Sequence, residues 1–232
     1  MLNSTLTIKI KERLNKLDSQ DYDNVLCWQI VEAFNKAQVE WCRRQLHGIN
    51  TLREGDEQST RRKDDLQVIL VQDPVLLQEE DIYYRGPVPK DYLQWKRLDV
   101  NACKGCCENR RMTVYLAEEE NLNQLLRDKS KQPSFSWAET FATLTDDGIN
   151  IYTNADFEIS KSELTYYRQP RLIQVKGCIN PYTETESTTD VTSEFKDDII
   201  ELIIDEAVSI IAGDIESGNQ YSRGQQEAER NN

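Results

Sequence analysis

The sequence predicts an α+β protein with an N-terminal helical hairpin or bundle, a central antiparallel β-rich domain, and a long C-terminal helix with a flexible tail. Three observations carry this reading. All six prolines lie between Pro74 and Pro181 and only two glycines precede Gly86, so the first 73 residues hold few chain breakers. Eight of the ten tyrosines fall between Tyr83 and Tyr182, among short apolar runs broken by Gly, Pro, Asn and Asp, which is the texture of paired strands. Beyond Ser193 the apolar residues return at helical spacing. The predicted organisation is a helical region over 1–73, a β-rich domain over 74–192, a helix over 193–218 and a tail over 219–232.

Leu6, Ile10, Leu14 and Leu17 recur at i, i+4, i+8 and i+11, on one face of a first helix that Ser4 or Thr5 can cap. An acidic turn over 18–23 leads to a longer helix from Asn24. There Ile30, Phe34, Ala37 and Trp41 share a face, Arg43 and Arg44 occupy the last turns, and Gly48 supplies the stop. Residues 61–71, with Leu66, Ile69 and Leu70 after a charged stretch, read as a third helix; the alternative is a helix running into a strand.

Residues 92–100 and 112–116 read as strands, and 121–128 as a short helix between sheet elements. Residues 140–144 and 149–153 flank Thr145-Asp146-Asp147-Gly148, where Asp-Gly supplies the positive φ of a hairpin loop. Strands over 157–159, 164–167 and 172–175, with turns at 154–156 and 160–162, complete an antiparallel meander. After a polar linker over 181–192 the final helix begins near Ser193, with Glu194 in its first turn. Phe195, Ile199, Leu202 and Ile203 form one apolar stripe and Ile200, Ile204, Val208 and Ile211 another; Gly218 ends the helix. A helix apolar on two sides buries both, between domains or against a neighbouring subunit. Together with Trp41, these eight side chains are the candidate assembly residues.

The formal charge is −13 and the pI near 4.7, a balance that repels a phosphate backbone unless basic residues are segregated. Segregation is partial: residues 193–232 hold 3 Lys/Arg against 10 Asp/Glu, whereas 1–73 hold 11 against 12. No stretch reaches the roughly 20 apolar residues of a membrane span. The first eleven residues lack the basic start, apolar run and cleavage site of a secretory signal, which predicts an intracellular protein. The Asn3-Ser4-Thr5 sequon therefore reads as chance.

Chemistry-bearing motifs are sparse. His47 is the only histidine, and at the predicted end of a helix it reads as a dipole-facing residue rather than a catalytic base. There is neither a phosphate-binding glycine loop nor a dinucleotide fingerprint. Cys103-Lys104-Gly105-Cys106-Cys107 puts two thiols at C-x-x-C spacing and adds a third. Zinc needs four ligands, so Cys103, Cys106 and Cys107 would have to recruit Cys178 or His47; a reversible disulfide and ordinary reduced thiols are the other readings. The acidic runs Glu118-Glu119-Glu120, Asp146-Asp147 and Asp197-Asp198 read as solvated charge, since adjacent acids diverge on a strand or helix. Arg61-Arg62-Lys63, set among five acids, reads as a salt-bridged face or a protein contact rather than a phosphate contact. No catalytic residue and no cofactor are expected.

The order of elements then matters more than any residue. Leu14-Asn15-Lys16-Leu17-Asp18 followed by Ala33-Phe34-Asn35-Lys36-Ala37-Gln38 resembles the opening of bacteriophage head-to-tail connector proteins, the adaptor rings beneath the portal. Asp91-Tyr92-Leu93, Pro133-Ser134-Phe135, Ile149-Asn150-Ile151-Tyr152-Thr153-Asn154, Leu164-Thr165-Tyr166-Tyr167-Arg168 and Asp205-Glu206-Ala207 are similar to ring proteins of crAss-like phages infecting gut bacteria. The resemblance covers most of the chain. It implies a virion protein in a ring, twelve-fold, docked on the portal protein and on adjacent tail or ring proteins, through which genomic DNA leaves the capsid without sequence-specific binding. It implies assembly in the host bacterial cytoplasm, no membrane and no enzymatic activity. A generic adaptor module and a metal-dependent hydrolase or nuclease are the competing readings.

Overall fold

A computed structural model describes residues 1–15, 25–47, 64–105, 108–146, 148–182, 184–214 and 226. The protein is α+β. Its described residues form four α-helices, α1 (Asn3–Asn15), α2 (Cys27–His47), α3 (Leu122–Arg127) and α4 (Asp197–Asp214). The chain divides into a helical unit, Met1–Val68 with Pro170–Asn232, and a sheet unit, Ile69–Gln169. The boundaries predicted at 73/74 and 192/193 are thereby corrected: residues 170–192 belong with the helices.

In the helical unit, Leu6, Ile10 and Leu14 on α1 and Ile30, Phe34, Ala37 and Trp41 on α2 are buried as their spacing predicts. Leu17, the acidic turn and Gly48 lie outside the described residues. The first helix starts at Asn3, so Ser4 and Thr5 sit inside it rather than capping it. The buried Asn3 amide donates to the Gln174 carbonyl at 2.8 Å and the Val191 carbonyl at 3.1 Å, which fixes the helix start to residues 170–192.

The last helix starts at Asp197 instead of near Ser193. Ser193 accepts a 3.5 Å hydrogen bond from the Phe195 amide and forms a turn ahead of the helix; Asp197 and Asp198 then occupy the first turn, where carboxylates complement the dipole. Gly218 and the predicted tail lie outside the described residues, Gln226 apart. Helix α4 packs against both α1 and α2. Lys9 and Arg13 pair with Glu201, and Arg13 also with Asp205. Trp41 meets Phe195 edge-on at 5.3 Å, and Arg44 pairs with Glu206 and, at 3.6 Å, with Glu40.

The sheet unit opens where a turn over Leu66–Ile69 runs into β1 (Leu70–Pro74). Residues 61–71 are thus a helical turn entering a strand, the second of the two sequence readings, with 61–63 outside the described residues. The remaining strands are β2 (Gln78–Glu79), β3 (Tyr83–Gly86), β4 (Tyr92–Lys104), β5 (Glu108–Leu116), β6 (Glu139–Thr145), β7 (Gly148–Tyr152) and β8 (Glu158–Arg168). Their order is β1-β8-β4-β5-β6-β7-β3-β2.

This corrects the meander. The sheet is mixed, because β5 and β6 pair in parallel while the other neighbours are antiparallel. A parallel pair needs a crossover, and α3, correctly predicted, lies in it. Residues 160–162 make no turn: β8 runs through them, with the Ser160 hydroxyl donating to the Asn101 carbonyl at 3.0 Å and the Ser162 hydroxyl to the Val75 carbonyl at 2.9 Å. The β6–β7 hairpin closes as predicted, Thr145 opposite Gly148. Gly148 has φ +147°, and a Cβ there would run into the Gly86 carbonyl of β3, so close strand approach adds to the turn's need for glycine. Leu98, Val100, Ile149, Ile151, Leu164 and Tyr166 are at the centre of the sheet unit's core.

Candidate functional site

Residues 170–192 cross the helical unit as a strap, and amide side chains hold it in place. Asn35 on α2 accepts from the Ile173 amide at 2.8 Å and donates to the Ile173 carbonyl at 3.2 Å, the two bonds a neighbouring strand would make. One turn on, Gln38 donates to the Arg171 carbonyl at 3.0 Å. Residues 172–175 are therefore not the predicted strand: Asn35 takes both backbone groups of Ile173, and Asn3 bonds the Gln174 carbonyl. Their one ladder contact is the bridge between Gln174 and Val191. Near its far end the strap folds on itself through β9 (Ile179–Asn180) and β10 (Thr185–Glu186).

Between the strap and α2 lies a groove of about 660 Å³. Trp28, Val31, Glu32 and Lys36 form its helix side, and Leu172, Val175, Cys178 and Tyr182 its strap side. Trp28 and Tyr182 close one end with ring centroids 6.1 Å apart, edge to face. Leu172 and Tyr182 are 52% and 74% exposed, leaving an apolar rim beside the charges of Glu32 and Lys36. Concavity, exposed apolar rings and a few polar groups suit recognition of another molecule. A second hollow, about 580 Å³, sits in the sheet unit over Leu116, Leu125 and Phe141.

Neither protein-family models nor curated protein sequences give a match to this chain.

The predicted assembly residues turn out differently placed. Trp41, Phe195, Ile199, Ile200, Ile203, Ile204 and Ile211 are buried within the chain's own helical unit, and Leu202 and Val208 are half-buried. Both stripes of α4 are occupied because α1 and α2 flank it, so two-sided apolarity reflects a bundle centre rather than a subunit interface.

Cys103 sits at the end of β4, its thiol donating to Asn109 Oδ1 at 3.6 Å. Cys106 and Cys107 lie outside the described residues, as does the His47 side chain. Cys178 is committed elsewhere: buried in the helical unit, its thiol faces that of Cys27. Among the described residues no group of three or more His, Cys, Asp or Glu side chains is arranged to hold a metal. The acidic runs fall on the 3₁₀ turn at Glu119–Asn121, on the hairpin turn at Asp146 and on the first turn of α4.

Elsewhere in the helical unit Lys9 and Arg13 pair with Glu201, and Arg44 with Glu206. Burial opposes ionisation of Glu201, but Lys9 and Arg13 outweigh it and hold that carboxyl below its ordinary value. Asn3, Asn35 and Gln38 escaped the reading of sites from sequence. Gln38 carried a usable signal: it falls one turn from Phe34 on the apolar stripe, where a polar side chain implies a buried partner.

Proposed function

We propose that the chain is a structural subunit of a phage virion, an adaptor ring at the head-tail connector that joins portal to tail and continues the DNA channel. The groove between α2 and the strap, with its exposed Leu172 and Tyr182, is the observation that carries assembly: exposed apolar surface in a concave setting fits a protein partner. The ring and the portal come from the sequence resemblance to connector proteins; in this chain the Ala33-Phe34-Asn35-Lys36-Ala37-Gln38 stretch that carries part of the resemblance also anchors the strap. The net charge of −13 suits a wall past which DNA slides without adhering. In this reading the chain catalyses nothing, and its partners are further copies of itself, the portal and the next ring.

Native mass spectrometry and electron microscopy of the purified chain, alone and with portal protein, test the proposal. A closed ring, lost in Leu172→Asp/Tyr182→Asp with the fold intact, is the expected result. A monomer that ignores the portal leaves the adaptor-module reading in its place. Among the described residues no helix is long and apolar enough to cross a membrane.

A further inference from the structure

Two cysteines far apart in sequence meet in the helical unit. Cys27 is the first residue of α2, and Cys178 lies on the strap immediately before β9. Their thiols are within hydrogen-bonding reach of one another. The Cys178 amide donates to the Val175 carbonyl at 3.1 Å and its carbonyl accepts from the Ser187 amide at 2.9 Å, while Trp28, next to Cys27, rests against Tyr182. The five bonds from Asn3, Asn35 and Gln38 fix the rest of the strap to the helices. Accessibility is graded across the pair, since Cys27 is half-buried and Cys178 buried.

We propose that Cys27 and Cys178 form a redox-responsive latch, in which a small-molecule disulfide oxidises the two thiols to a Cys27–Cys178 disulfide that ties the strap to the start of α2. The steps balance. The Cys27 thiolate attacks one sulfur of oxidised glutathione, forming a mixed disulfide and releasing one glutathione thiolate, which takes up a proton. Cys178 then gives up its proton, attacks the Cys27 sulfur and expels the second glutathione. Two protein thiols lose two electrons and two protons; one glutathione disulfide becomes two thiols.

The order of attack follows from the surroundings. Burial, and then the facing Cys27 thiol, push the Cys178 thiol up to about 12, so it resolves rather than initiates. In a glutathione-reduced compartment the latch stays open, and in an oxidising medium it closes. Closing it fixes one wall of the groove that Cys178 lines. This holds for the single chain, whether or not that chain assembles into a ring, so its failure is distinguishable from failure of the ring.

The experiment treats the full-length chain with oxidised glutathione, maps its peptides by mass and follows its melting. The expected result is a cross-linked peptide joining Cys27 to Cys178, lighter by two hydrogens. The apparent Tm rises by ~10 °C, as a cross-link closing a long loop implies, and dithiothreitol reverses the shift. Cys27→Ser should abolish both effects; because Cys27 is half-exposed, this variant keeps the test sound if Cys178→Ser fails to fold. Cys42 is the internal control, since burial and then Glu194 push its thiol up to about 12 and it should stay unmodified. Glutathione stopping on Cys27 as a mixed disulfide, a cross-link through another cysteine with Cys27 and Cys178 still free, or an unchanged Tm each overturns the proposal.

Discussion

The helical unit and the sheet unit dispose of their polar groups in opposite ways. In the sheet, strands satisfy one another's backbones, and side chains add little to the ladder. In the helical unit the described residues of the strap form only a short hairpin and one isolated bridge, so amides from α1 and α2 take over the strand's role, while arginines on α1 and α2 tie α4 in. Helices cannot share backbone bonds with their neighbours. A non-regular segment laid on helices therefore needs polar side chains at defined positions, and single substitutions there should hurt more than polar substitutions on the sheet.

The severest way to break the comparison is to end the chain after Thr192. Because α4 is the centre of the bundle, this should remove cooperative unfolding of the helical unit and much of the helical circular dichroism. An intact helical signal would show that α1 and α2 do not depend on α4. For the same reason, loss of ring incorporation in that truncation would report unfolding, which is why Leu172 and Tyr182 are the better assembly probes.

Arg44→Ala comes next. Glu206 is 4% exposed, and without its guanidinium a charge stays buried and unpaired. Breaking such a pair costs ~3–5 kcal/mol, measurable by urea denaturation. A loss under about 1 kcal/mol would mean that Glu206 is solvated or neutral in the folded chain. Asn35→Ala should cost less, about 2 kcal/mol, by leaving the Ile173 amide and carbonyl without partners. Hydrogen exchange at Ile173 should accelerate sharply while β4 and β8 stay protected. Uniform protection would make the strap self-supporting.

Legibility in the sequence divides along the same line. Helix faces were readable because their period is local: Leu6 to Leu14 and Ile30 to Trp41 are buried as spaced. Strand positions were readable for β4 to β7, and the Gly148 turn with them. Strand order was not, because which edge β6 pairs with depends on the β5–α3–β6 crossover and not on any residue within β6. The linker over 181–192 looked like a connection, since its polar residues carry no period; what ties it down is Asn3, 188 positions away, together with the bridge from Val191 to Gln174. The Cys27–Cys178 contact was invisible for the same reason. The two-stripe pattern of α4 was read as burial between domains or against a neighbouring subunit, and α1 and α2 cover it within the chain; sequence shows that a face is covered but not by what.

Tyr166 offers the smallest effect and the sharpest check on the sheet side. Its hydroxyl lies 3.0 Å from Asp73 Oδ2 and 2.9 Å from Asp91 Oδ1, yet it has one proton to donate. Burial, followed by these two carboxylates, raises the phenol far above its ordinary value of 10. The folded state thus keeps its proton where the unfolded chain loses it. Stability from this group is whole below pH 10 and falls as pH rises towards the folded value. For one phenol the loss reaches about 1.4 kcal/mol at pH 11, one unit above the unfolded pKa. Burial raises Tyr84, Tyr92, Tyr152 and Tyr167 as well, so the wild-type slope is steeper than one residue gives. Tyr166→Phe should reduce the slope between pH 10 and 11 by the share of a single phenol and leave the curve at pH 7–9, where the raised Cys42 and Cys178 thiols begin to act, as it is in the wild type. An unchanged slope between pH 10 and 11 would place the Tyr166 proton in bulk-like surroundings and remove the two-carboxylate site from the account of the sheet.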